Sequence, residues 1–143
     1  MDVLADLKPA FDEKGSVTAG TSSPLTDGSA AVLLTSEAYA QSHGLTPLAR
    51  IKSIAVAGCA PEIMGIGPVN STNKARKRAG LKLNDIDVIE LNEAFSSQSL
   101  AVISELGIDS NRINIDGGAI SIGHPLGASG ARIAGKAASI LNR

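Results

Sequence analysis

Tryptophan is absent from this 143-residue chain, which holds one tyrosine, two phenylalanines and one cysteine. The single thiol, Cys59, allows no internal disulfide, and such a chain is expected in a reducing compartment. No apolar run reaches the roughly 20 residues that cross a bilayer, so no membrane span is expected. The opening Met1-Asp-Val-Leu-Ala-Asp6 lacks the basic start of a secretory signal, and the expected location is cytoplasmic. Neither sign of charge dominates, with 13 basic and 14 acidic residues. That balance favours neither nucleic acid nor an anionic membrane as a partner. Internal repeats and low-complexity segments are also lacking.

Glycine is plentiful, at 15 residues, as expected where helices and sheets approach closely. The chain has the length of one ordinary domain and can bury a real core. Its organising stretch is Asn114-Ile-Asp-Gly-Gly-Ala-Ile-Ser-Ile-Gly-His-Pro-Leu-Gly-Ala-Ser-Gly-Ala-Arg132. It reads as a short strand, a glycine-rich turn holding His124, and a helix opening near Gly127. A histidine on a turn between strand and helix sits where α/β folds place catalytic groups. Pro125 and the flanking glycines restrict the backbone there. The helix beyond has small residues on every side, which predicts close packing on more than one face.

The rest of the chain reads as alternating strands and helices. Residues 1–28 form a lead-in with turn residues at 21–24 and 27–28. A continuous apolar run at 30–35 predicts a strand covered on both faces. Ser36 is placed to cap a helix over 36–41, with Gly44 as its stop. Strands are predicted at 50–57, 86–91 and 113–116, and helices at 68–79 and 92–106. Pro68 opens the first of these helices, Gly80 and Gly107 follow the two ends, and Asn92 is read as the cap of the second. The basic residues Lys74, Arg76, Lys77 and Arg78 suit the end of the helix dipole and read as a solvated face. Alternating elements of this kind predict an α/β fold with a mostly parallel sheet flanked by helices. The segment 87–95 then carries a polar pair, Asn92-Glu93, out of its strand into the same crevice as His124.

Four motifs together carry a resemblance. They are Val17-Thr-Ala-Gly-Thr-Ser-Ser-Pro-Leu-Thr-Asp-Gly28, Gly58-Cys-Ala-Pro-Glu-Ile-Met-Gly-Ile-Gly-Pro68, Asn92-Glu-Ala-Phe95 and Gly117-Gly-Ala-Ile-Ser-Ile-Gly-His-Pro-Leu-Gly-Ala-Ser-Gly-Ala-Arg132. In this order they resemble the C-terminal part of a thiolase. Within that family they are most similar to 3-ketoacyl-CoA thiolases of fatty-acid β-oxidation. The resemblance implies a thiolase-like fold, incomplete at both ends. Residues 1–35 would be the tail of an N-terminal domain, and 36–143 a C-terminal domain without its last strands.

The same resemblance implies an acyltransferase that cleaves 3-ketoacyl-CoA with CoA to acetyl-CoA and a shortened acyl-CoA. Coenzyme A is then a co-substrate, with no further cofactor and no metal. His124 would activate a nucleophilic cysteine and donate to a thioester or enolate oxygen, and Asn92 would hold a water completing that oxyanion hole. Ser23 would contact the pantetheine arm, Met64 would lie beside the acyl or pantetheine path, and Ala94 and Phe95 would line the channel. Glu93 reads as a brace for its loop and Cys59 as structural, since the family nucleophile belongs to another motif. Both catalytic cysteine motifs are missing from this sequence, so the chain alone is expected to be inactive. Implied partners are acyl-CoA and CoA, a second copy of the chain and a β-oxidation subunit. A non-catalytic CoA-binding or subunit-pairing role and the acetoacetyl-CoA branch of the family are the alternatives.

Overall fold

A computed structural model describes residues 2–143. Its helices are α1 (Asp2–Ala5), α2 (Glu37–Ser42), α3 (Gly67–Ala79), α4 (Ser96–Leu106), α5 (Ala119–Ile122) and α6 (Ser129–Leu141), joined by loops and short 3-10 segments. Helix α2 begins where Ser36 Oγ accepts the Tyr39 amide at 3.1 Å, which satisfies one of the free donors of a first turn. Helix α3 has proline in its first turn and ends at Gly80, where φ is +69°. Three cations, Arg76, Lys77 and Arg78, lie in its last turn, beside the negative end of the helix dipole.

Helix α4 begins later than the sequence suggests. Its cap position is Phe95, in extended conformation and without a side-chain cap, so Asn92 caps nothing. The lead-in loop explains the difference. Ser22 forms an antiparallel bridge with Phe95, and the Ser23 amide donates to the Ala94 carbonyl at 3.1 Å. These bonds hold 94–95 extended and leave the Asn92 side chain outside the helix.

Helix α4 packs on α3 and on the 3-10 segment Pro61–Ile66, and the buried apolar residues include Val102 and Ile108 at α4 and Ala119 and Ala128 on either side of the His124 turn. Val102 on α4 is fully buried, and burial of such a side chain contributes about 1.5–3 kcal/mol. Gly65 approaches Gln98 of α4 so closely that an added Cβ would lie 2.9 Å from its side chain.

Parallel pairing is present in short form. Ile89 and Ile113 make one parallel bridge, with the Ile89 amide donating to Arg112 and the Asn114 amide to Ile89, each at 2.9 Å. The predicted strands at 30–35 and 50–57 form no ladder among the described residues. An apolar pattern records what a segment can bury, whereas a ladder also needs a partner. Leu33 and Leu34 are exposed, as are Ile51, Ile54 and Val56. The α3 cations, read as a solvated face, partly serve that second segment instead. Arg78 donates to the Ile54 carbonyl at 2.5 Å and Lys74 to the Val56 carbonyl at 3.0 Å.

Helix α6 differs from expectation in its packing. It opens near Gly127, with the Ser129 amide donating to the Pro125 carbonyl at 2.9 Å, but added Cβ atoms at Gly127 and Gly130 would meet open space. Only Gly135 is closely approached, 3.3 Å from the Val32 side chain. The small residues permit close packing on several sides, and among the described residues that capacity is mostly unused.

Past the end of α6, Arg143 donates to both carboxyl oxygens of Asp116 at 2.9 and 3.1 Å, and Lys136 pairs with the same carboxyl. The Arg143 hydrogen bonds, followed by that of Lys136, lower the Asp116 carboxyl from 3.8 to about 2. A depressed folded value means that the contribution is present above the ordinary carboxylate range and is lost as pH falls through about 2. Asp116→Asn should therefore lower the thermal midpoint at neutral pH. The difference from the parent should vanish in strongly acidic buffer and shrink in high salt, which melts across pH and salt will check.

Candidate active site

Two loops meet at the site: 92–95, between the Ile89 bridge and α4, and 117–128, which carries α5. Asn114 joins them. Its backbone turns into the left-handed region at φ +46°, which asparagine tolerates better than most residues. Its side-chain Oδ1 accepts the Leu91 amide at 2.9 Å, and Nδ2 donates to the Leu91 carbonyl at 2.9 Å and to Glu93 Oε1 at 2.7 Å. Glu93 Oε2 in turn accepts the Ile120 amide in the first turn of α5 at 3.0 Å. Glu93 thus braces its loop, as its sequence context suggests. Two residues before Asn92, burial pushes the Glu90 carboxyl up, although Arg132 and Lys136 pull against it.

After α5, Gly123 has φ +99°, a conformation that side-chain-bearing residues rarely adopt. The next residue, His124, donates its backbone amide to Thr26 Oγ1 at 3.1 Å and forms a parallel bridge with Leu25. Its ring then has two neighbours. Nδ1 lies 2.7 Å from Ser129 Oγ, and Nε2 lies 3.4 Å from Asn92 Nδ2. An amide nitrogen can only donate, so the Nε2 facing it carries the lone pair, and Nδ1–H donates to Ser129. This tautomer leaves a basic nitrogen on the side of Asn92. Asn92 Oδ1 is buried and has no hydrogen-bond partner among the described residues. Such an acceptor calls for a donor that these residues do not supply. Beside the ring, a cavity of about 430 Å³ is lined by Leu25, Thr26, Asp27, His124 and Leu126.

The two residues singled out for chemistry, His124 and Asn92, therefore meet. Ser23 and Ala94 also meet, since the Ser23 hydroxyl donates to the Ala94 carbonyl at 3.4 Å. Phe95 packs edge-to-face on Phe11, with ring centroids 5.8 Å apart. Met64 stands apart on the Pro61–Ile66 segment, with 74% of its surface exposed. Cys59 directs its Sγ to the carbonyls of Ile63 and Met64 at 3.9 and 3.8 Å, with no basic group as partner. Thr26, Ser129 and Asn114 escaped the sequence reading. Ser129 had a signal, since it lies five residues after His124 in a glycine-framed turn. Among the described residues, no group of three or more His, Cys, Asp or Glu is placed to hold a metal ion.

Comparison with known proteins bears on the whole arrangement. A family profile described as the thiolase C-terminal domain matches residues 45–143, and one for the thiolase N-terminal domain matches 1–38. The chain belongs to the thiolase family. A 3-ketoacyl-CoA thiolase of Hahella chejuensis is 62% identical over 134 residues, covering 91% of this chain and 34% of that protein. The crystal structure of the Bacillus anthracis acetyl-CoA acetyltransferase superposes with a TM-score of 0.92 at 48% identity, over 99% of this chain and 35% of that one. Human mitochondrial 3-ketoacyl-CoA thiolase in complex with CoA gives 0.87 at 44% identity, again over 99% of this chain and 35% of that one. The fold is therefore thiolase-like, and the chain spans about a third of the length of these thiolases. None of its described helices is long and apolar enough to cross a membrane.

Proposed function

We propose that this chain supplies the histidine–asparagine half of a thiolase site that cleaves 3-ketoacyl-CoA with CoA. The observation that carries the reading is the His124–Asn92 pair, with a basic Nε2 and an orphaned, buried Asn92 Oδ1 on the same side. In the forward step a cysteine thiolate attacks the 3-keto carbon. The bond between C2 and C3 breaks, and an acetyl-CoA enolate leaves and takes a proton. A CoA thiolate then releases the acyl group as a shortened acyl-CoA. His124 takes the proton from the attacking thiol and, once protonated at Nε2, donates to the oxygen where negative charge develops. Asn92 Oδ1 holds a water that supplies a second donor.

Cys59 is not placed for the attack, and it is the only cysteine of the chain. The nucleophile therefore comes from sequence outside these 143 residues, consistent with relatives about three times as long. On this reading residues 1–35 end an N-terminal domain and 36–143 form most of a C-terminal one. Ser23, Ala94 and Phe95 border the pantetheine arm, and Met64 meets it from its exposed segment. CoA is a co-substrate, and no separate cofactor or metal takes part. The complete protein is cytoplasmic and homo-oligomeric, with a β-oxidation subunit as its further partner. The acetyl-CoA acetyltransferase among its structural relatives favours acetoacetyl-CoA as a second substrate to test.

The test is thiolysis of acetoacetyl-CoA and of a longer 3-ketoacyl-CoA, by this chain alone and by the chain extended to its complete reading frame. The extended protein should be active and the 143-residue chain inert. The ratio of the two rates identifies the branch. Turnover by the short chain would mean that Cys59 or another group can attack, and would overturn this mechanism.

A further inference from the structure

Asn92 has an unusual support. Its Oδ1 has no partner among the described residues, and its Nδ2 lies a long 3.4 Å from His124, so its side-chain contacts to the protein do not fix its position. Its two neighbours are fixed instead, and both by one side chain. Asn114 accepts from and donates to Leu91 on one side of Asn92, and donates to Glu93 on the other. All its donors and its acceptor are thereby used. The backbone that aims this side chain lies in the left-handed region, and no other described non-glycine residue has a positive φ. Glu93 passes the connection to the Ile120 amide, and the single turn of α5 leads from there to Gly123 and His124.

We propose that Asn114 and Glu93 form a positioning relay that sets the placement of Asn92 against His124 and so the geometry of the donor pair. The proposal rests on the thiolase reading of that pair. Neither residue touches the reacting atoms. Their contribution is the distance between two loops that, among the described residues, share no hydrogen bond besides that of Glu93 and the 3.4 Å contact and are both touched by the lead-in strap.

The relay has a donor–acceptor polarity that can be reversed. In the complete protein, Asn114→Asp preserves size and tolerance of the left-handed backbone. It also replaces the two N–H donors with an oxygen facing the Leu91 carbonyl and the Glu93 carboxyl. Thiolysis kcat should fall about a hundredfold with KM changed less than about threefold, the pattern of lost orientation at retained binding. Adding Glu93→Gln lets the new amide donate to the introduced carboxylate while its oxygen still accepts from Ile120, which restores the Glu93 arm and leaves only the Leu91 carbonyl without its donor. The double variant should recover kcat to within about tenfold of the parent.

A purely structural role would shift the thermal midpoint and KM together and would show no such recovery. Nitrogen-15 NMR of the His124 ring provides a readout independent of turnover. The Nε2 resonance should move in the single variant and return in the double. If the parent does not thiolyse, the functional reading fails while this spectrum still judges the relay. An unmoved Nε2 resonance in the single variant overturns the proposal, as does a double variant no better than the single. Should the single variant not fold, a folded, active double supports the relay and an unfolded double overturns it.

Discussion

Replacing His124 with alanine is expected to lower thiolysis kcat by about a thousandfold or more in the complete protein. The proposed function gives this ring two roles: proton transfer, worth about 10²–10⁴, and an oxyanion donor, worth about 10²–10³. The loop should survive the change, because its anchors are backbone groups. The His124 amide on Thr26 and the bridge to Leu25 do not involve the imidazole. KM should therefore change little while kcat collapses. Asn92→Ala should cost about a hundredfold by itself, as the loss of one oxyanion donor does. If both residues serve the same oxygen, the double variant should be scarcely worse than His124→Ala. Fully additive losses would assign Asn92 a separate task, and near-parental turnover in His124→Ala would remove the histidine from the mechanism.

The second large effect concerns a residue with no side chain. Gly118→Ala should destabilise the protein by about 3 kcal/mol or more, within the range of the more damaging single substitutions. A Cβ there would lie 2.1 Å from the Glu93 carboxyl carbon, closer than any real contact. The backbone of Gly118 has an ordinary extended φ of −114°, so the penalty is steric and not conformational. Glu93 would have to swing away from Asn114 and from the Ile120 amide. Each partly buried group left unpaired costs about 1–3 kcal/mol. Urea unfolding of the two single variants and the double variant with Glu93→Ala tests the cause. The double should cost clearly less than the two singles added, because shortening Glu93 removes the clash. Simple additivity would show that the damage lies elsewhere.

The turn that carries His124 was legible because glycine and proline advertise a constrained backbone, and the sequence also brought Asn92 to the same crevice. The helix ends at Gly80 and Gly107 were legible for the same kind of reason, and so was the Ser36 cap. Asn92 was misplaced as a cap because asparagine favours that position in any helix. The lead-in loop, some 70 positions away in sequence, takes the Ala94 carbonyl and delays the helix to Ser96. Asn114 was hidden for a related reason. It sits in an alternating window, Ile113-Asn-Ile-Asp116, that reads as strand, and nothing local reveals that its side chain continues the pairing begun by Ile89 and Ile113. Sequence pattern likewise located the apolar segments at 30–35 and 50–57 but not their ladders, since pairing is a property of two segments and the pattern describes one.

The bonds from α3 to the 50–57 segment carry a consequence for self-association. Among the described residues the 50–57 segment has no partner strand, and in this chain by itself such an edge, rich in isoleucine and valine, is a template on which another chain can add as a strand. Here the carbonyls of Ile54 and Val56 are already occupied by the Arg78 guanidinium and the Lys74 ammonium. An incoming strand would have to displace both cations before forming its first bonds to these carbonyls. The helix that packs behind this segment therefore also guards its rim, and the protection depends on two positive charges.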